Sequence, residues 1–114
     1  MSQNRYTIIF FVPKDHTQSV LDKLFQQFPK VLGSIGNYEN CAFYSPGTGQ
    51  FIPAKGSNPV IGAVGRLEHV EEHRVEMVVN DTGERAEIKA VIEALKSVHP
   101  YEEVAYYVHR LEDL

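Results

Sequence analysis

The chain has 114 residues, 43% of them hydrophobic and 23% charged, a formal net charge of −4 and a single cysteine, Cys41. That length and apolar content suit one globular domain and exclude a disordered chain, while mixed, net acidic charge excludes a general nucleic-acid surface, which needs clustered Lys and Arg. One cysteine forbids an internal disulfide, no basic-then-apolar leader pattern opens the sequence, and the longest apolar run, residues 8–12, is far too short to span a bilayer, so a cytoplasmic protein without membrane contact is expected.

Residues 6–12 (Tyr-Thr-Ile-Ile-Phe-Phe-Val) are β-branched or aromatic on both parities, which predicts a central strand buried on both faces and ended by Pro13. Asp15 followed by Gln18 fits a capping box. Val20, Leu21, Leu24, Phe25 and Phe28 then recur at helical spacing until Pro29 stops the helix near residues 27–28. Residues 33–65 hold seven of the eight glycines. This stretch is expected to be a long, irregular, hairpin-like excursion with two short strand candidates, residues 41–44 and 50–52. Residues 72–79 alternate, with Val75, Met77 and Val79 facing one way and Arg74 and Glu76 the other, as in a half-buried strand. Asn80, Asp81 and Gly83 predict a turn. Ile88, Val91, Ile92 and Leu95 stripe a second helix over about 84–97, closed by His99-Pro100. Residues 103–110 predict the last strand. The order β-α-β(β)-β-α-β implies a ferredoxin-like βαββαβ α/β (α+β) sandwich over the whole of residues 1–114, one domain, with both helices on one face of the sheet.

Few motifs carry chemistry on their own. Gly47-Thr48-Gly49 lacks the third glycine of a dinucleotide loop and opens no helix, which favours a plain turn. Cys41 has no sequence-local base and reads as a small buried hydrophobe. His69 and His73 lie about 13 Å apart on an extended strand, too far to share an ion. His99, Glu102 and Glu103 place an imidazole and two carboxylates in one turn, a donor set suited to a divalent metal.

Two stretches resemble a known family. The first runs from Gly33-Ser34-Ile35-Gly36-Asn37-Tyr38 and Cys41-Ala42-Phe43 through Gly47-Thr48-Gly49-Gln50-Phe51, Pro53, Gly56, Pro59, Ile61-Gly62, Gly65 and Leu67-Glu68 to residues 71–76. The second is His99-Pro100-Tyr101-Glu102-Glu103 with Ala105-Tyr106. Together they resemble the insert domain of the NGG-interacting-factor-three family, the dinuclear-metal-centre proteins, and the similarity to stand-alone versions of that insert runs from end to end. The resemblance implies a fold like those of PII and CutA. The His-Pro-Tyr-Glu turn also resembles CutA, a trimeric protein linked to divalent-metal tolerance. The chain departs from the family pattern at Val104, where proline is usual, and at Tyr107, where aspartate is usual. The family's metal ligands lie on a body this sequence does not contain, so the resemblance does not bring its hydrolase-type or GTP cyclohydrolase-type chemistry.

The expectation is therefore a non-enzymatic, regulatory module that binds a small ligand or a divalent metal ion. A structural oligomerisation or protein-interaction module is the alternative, and a hydrolase-type enzyme stands third. Self-association is expected because a small open sheet leaves edges that need cover, and the resemblance to PII-like and CutA-like folds implies a trimer. The expected site lies where residues 36–41 and 48–50 approach the 99–103 turn, within one subunit or across an interface. Its ligand-binding candidates are Gly36, Asn37, Tyr38, Cys41, Thr48, Gly49, Gln50, Glu68 and Tyr101. Its metal candidates are His99, Glu102 and Glu103.

Overall fold

The apolar run at residues 6–12 forms the heart of β1 (Asn4–Pro13) in a computed structural model that describes residues 4–114. On the even-numbered face of β1, Tyr6, Ile8, Phe10 and Val12 are all buried. A 3₁₀ turn (Lys14–His16) leads into α1 (Thr17–Gln27), which buries Val20, Leu21, Leu24 and Phe25. β2 (Phe43–Phe51) and β3 (Glu68–Asp81) follow, then α2 (Ala86–Val98), which buries Ile88, Val91 and Leu95, and finally β4 (Tyr106–Arg110). The two helical stripes and the inward residues Val75, Met77 and Val79 of β3 form one core with β1. No helix among the described residues is long and apolar enough to cross a membrane.

The sheet order is β2-β3-β1-β4 and all three pairings are antiparallel. β1-α1-β2 and β3-α2-β4 are thus two interleaved split βαβ units, the ferredoxin-like α+β arrangement the element order predicts. α2 is anchored by the buried Asp81, whose carboxylate accepts from the amides of Gly83 (2.8 Å) and Ile88 (2.9 Å). An aspartate reaching the first turn of a helix satisfies donors that have no intrahelical partner.

β3 is the long member. It pairs with β1 only as far as Pro13↔Glu72, whereas its pairing with β2 continues to Phe51↔Glu68. The outer parts of β2 and β3 therefore leave the core as a two-stranded arm. The arm accounts for the 50 × 25 × 24 Å extents and for a radius of gyration of 15.2 Å, against about 13 Å for a compact domain of this length.

Several local expectations change. The two strand candidates at residues 41–44 and 50–52 are one continuous strand, and Gly47-Thr48-Gly49 lies inside it instead of forming a turn. β2 is an edge strand, where a proline without an amide and side-chain-free glycines cost little, so pairing with β3 overrides their local preference. Asp15 makes no capping box: α1 starts without a side-chain cap, and Gln18 bonds to Asp22 at 2.8 Å. Cys41 is only partly buried and lies outside any strand. The last strand starts at Tyr106, after an irregular segment that covers residues 99–105.

Candidate functional site

The base of the arm, the 99–105 segment and the loop over residues 52–67 enclose a cleft of about 500 Å³. Its floor is the sheet face opposite the helices, contributed by Phe11 and Tyr107, whose rings meet edge to face at 6.0 Å. Phe51, Ile52, Pro53, Pro59, Val60 and Ile61 form an apolar wall. Glu72, Tyr101, Glu102 and Glu103, with Gln50 and Ser57, supply the polar part of the lining. A cleft of this size with apolar walls and a few convergent polar groups has the general form of a small-molecule site.

Glu72 and Tyr101 are joined across this cleft. The Tyr101 hydroxyl donates to Glu72 Oε2 at 3.1 Å. Burial, the charge of Glu72 and this hydrogen bond all push the Tyr101 phenol well above its ordinary value, so it stays protonated and donates. Gly49 makes the room: a Cβ there would collide with the Glu72 carboxylate. Tyr101 also packs beside Phe51, with ring centroids 6.3 Å apart.

His99 lies beneath the 99–105 segment and is only 6% exposed. The Tyr101 amide donates to its Nδ1 at 3.0 Å, and its Nε2 lies 2.6 Å from the Phe11 carbonyl oxygen. An amide only donates and a carbonyl only accepts, so these partners assign the neutral tautomer with the proton on Nε2. Burial holds the imidazole below its ordinary value; the Phe11 bond opposes that shift and the charge of His16 adds to it. Glu102 accepts from the Asn58 amide at 2.9 and 3.3 Å and so tethers the 52–67 loop to the turn.

The structure brings Gly49, Gln50, Tyr101, Glu102 and Glu103 together around one cleft, as the expected meeting of residues 48–50 with the turn requires. Thr48 points elsewhere and lines a smaller hollow of about 290 Å³ with Lys14 and Glu71. Glu68 sits on the arm opposite Phe51 and against Gly62. Gly36, Asn37, Tyr38 and Cys41 lie at the other end of the sheet. There the Gly33 amide bonds to the Val78 carbonyl at 2.8 Å and the Cys41 amide to the Gly33 carbonyl at 2.7 Å. From Glu72 to Val78 is about 20 Å along β3, so within one chain residues 36–41 do not reach the turn. Gly33 is needed at that far end: its φ is +79°, and a Cβ would meet Phe25 Cε1 at 2.6 Å.

His99 spends both ring nitrogens on backbone groups and offers no lone pair to an ion in this arrangement. Among the described residues no group of three or more His, Cys, Asp or Glu side chains is placed to hold a metal. Glu72, Phe11, Phe51 and Tyr107 are among the cleft residues that sequence reasoning did not place in the site. The alternation at residues 72–79 includes Glu72 in a strand, but only the folded β2–β3 ladder shows that Glu72 stands opposite Gly47 and that its carboxylate reaches diagonally over Gly49.

No family model matches the sequence. The chain is 40% identical over 110 residues to a protein of Halalkalibacterium halodurans named GTP cyclohydrolase 1 type 2 homolog, an alignment covering 96% of this chain and 28% of that one. It is also similar to a Bacillus cereus protein described as related to NIF3, with a TM-score of 0.78 and 36% identity over 99% of this chain and 27% of the other. The chain thus spans about a quarter of the length of such relatives. The fold extends to the divalent cation tolerance protein CutA of Archaeoglobus fulgidus, with a TM-score of 0.65 at 14% identity over 96% of this chain and 85% of that one.

Proposed function

Because the chain is a homologue of one segment of the NIF3-related proteins, with a CutA-like fold, we propose that it is a non-enzymatic binding module whose site is the cleft between the arm and the 99–105 segment. The observation that carries this reading is the cleft itself, about 500 Å³ with mainly apolar walls and a few polar groups among them. Those polar groups are arranged to hold and not to react. Tyr101 is kept protonated against Glu72, and the Ser57 hydroxyl is committed to the Ala54 carbonyl at 2.6 Å. A small molecule fits this lining. A divalent ion held by Glu102 and Glu103 is the second ligand the reading admits.

The test is a set of thermal melts and amide spectra with 2-phenylethanol, zinc chloride and magnesium-ATP as probes. Binding to the folded state raises the melting midpoint by mass action. A rise with 2-phenylethanol or zinc, accompanied by shifts at residues 50–54 and 101–105, supports the cleft. Spectra in which those residues respond to none of the probes would remove it.

Self-association is the companion reading, and a specific observation favours it. β2 and β4 are open edges of the sheet, and the β2 edge carries Phe43 at 66% and Tyr44 at 44% exposure. Ile52, Val60, Val64 and Leu67 add exposed apolar area near the arm. A long edge with apolar side chains invites pairing with another chain. A homo-oligomer, with a trimer as its finer form, is expected to appear in light scattering as a multiple of 12.9 kDa. A cytoplasmic home belongs to the same proposal.

A further inference from the structure

The geometry points to a ligand class for the cleft: a cationic nitrogen group, amine or guanidinium, carried on a flat apolar body, with the Glu72 carboxylate as the group that reads the cation. The inference rests on the cleft being a ligand site.

Glu72 is held in place for this role. Its Oε2 is taken by the Tyr101 hydroxyl, while its Oε1 lies over Gly49 where a side chain would otherwise sit. A carboxylate bonded on one oxygen and held in place has little rotamer freedom left to lose on binding. The Tyr101 phenol, held well above its ordinary value, remains the donor of this bond and Glu72 Oε2 its acceptor, which leaves Oε1 as the carboxylate oxygen open to the cleft.

The charge balance of the cleft favours a cation. Lys14 pairs with Glu71, Arg74 with Glu76 and Lys96 with Glu93, and among the described residues no Lys, Arg or His forms an ion pair with Glu72, Glu102 or Glu103. A cleft lined by carboxylates without a cation repels phosphate and carboxylate ligands and attracts cations.

The walls select the apolar body. Phe11, Phe51 and Tyr107 present aromatic surface beside the acidic side. Ring faces bind both apolar bodies and cations. A bare metal ion uses none of that surface. An aryl amine uses the apolar wall and the carboxylate at once.

The experiment compares three probes of nearly one shape and three charges: phenethylamine, 2-phenylethanol and phenylacetate, titrated at pH 7.5 and followed by the amide signals of the cleft. The expected order is amine, alcohol, acid, with the amine at least about tenfold tighter than the alcohol and the advantage shrinking as salt is added. Glu72→Gln is expected to reduce the amine to the affinity of the alcohol. Glu71→Gln removes a carboxylate from the same strand outside the cleft and is expected to keep the preference, which separates a local effect from a change in net charge. Gly49→Ala, which displaces the Glu72 carboxylate without removing it, is expected to weaken the amine in the same direction. Equal affinities for amine and alcohol, a preference for the acid, or an amine preference that survives Glu72→Gln would each overturn the assignment while leaving the cleft a ligand site. Failure of all three probes to shift any cleft amide would overturn the ligand reading as well.

Discussion

His99 and Phe11 are joined side chain to backbone across 88 positions of sequence, with the imidazole Nε2 2.6 Å from the Phe11 carbonyl oxygen. That bond fastens the end of α2 to the central strand. The opposite ring nitrogen holds the Tyr101 amide, so one neutral imidazole orients the segment that carries Tyr101, Glu102 and Glu103. A protonated ring would place an N–H against the Tyr101 N–H, and one of the two bonds would be lost.

The pH dependence follows from the direction of that shift. The buried ring has a lowered value relative to the ordinary 6.5, so the unfolded chain binds the proton more readily than the folded one. The contribution of His99 is therefore complete above about pH 6.5 and is lost as pH falls below that value, with a limiting slope of about 1.4 kcal/mol per pH unit. Urea unfolding at pH 7.5, 6.5 and 5.5 is expected to show this loss, and His99→Asn is expected to flatten it. His16 shares the neighbourhood, so the slope should persist in His16→Asn. A wild-type protein equally stable at all three pH values would refute the role given to His99.

Tyr101 offers a spectroscopic handle on the cleft. Glu72 raises its phenol value both through charge and through the hydrogen bond, after burial as the largest cause. Glu72→Gln is therefore expected to lower the value, seen as tyrosinate absorbance appearing at lower pH in one of the six tyrosines. An unchanged titration would mean that the two side chains are not joined in solution.

Asp81 tests the anchoring of α2. Its carboxylate is 1% exposed and serves two amides, those of Gly83 and Ile88. Asp81→Ala is expected to destabilise the protein by about 2 kcal/mol, because it leaves buried donors unpaired and removes a helix-start contact. The measurement is the denaturation midpoint, and a loss below about 0.5 kcal/mol would count against this account.

Phe43 tests self-association. It is an exposed residue on the edge strand, opposite Glu76. Phe43→Lys places a cation on the edge next to a carboxylate, a device that blunts strand pairing. Monomer stability is expected to change by no more than about 0.5 kcal/mol, while the oligomer dissociates in light scattering. An oligomer unaffected by the change would place the interface away from this part of β2.

The strands and helices of the core were legible because their periodicities are strong. The two-parity apolar run of residues 6–12, the alternation of Val75, Met77 and Val79 and the stripe of Ile88, Val91 and Leu95 are local signals, and the structure buries all of these last six residues. β2 was half legible. Its Pro46, Gly47 and Gly49 carry turn propensity that is overruled by a partner strand about 25 positions away, and propensity contains no term for that partner. The candidate site divides the same way. Gly49, Gln50, Tyr101, Glu102 and Glu103 stood out by residue type, and the structure unites them. Gly36, Asn37, Tyr38 and Cys41 stood out equally, yet their glycines serve a chain reversal at the far end of β3. Glu72 was invisible as a site residue because its importance comes from register.

The arm built from the outer halves of β2 and β3 gives one strand two very different environments. Around Val75, Met77 and Val79, β3 is covered by both helices and flanked on each side. From Glu68 to Glu71 it has only β2 beside it and no core beneath it. Two-stranded ribbons are marginal in water, so amide exchange along this single strand should pass from slow at its core end to fast at its tip as separate cooperative units open. The tip then works as a built-in gauge of assembly. An isolated chain leaves those amides to solvent, and a neighbouring chain laid along the arm would slow their exchange without any change in the core.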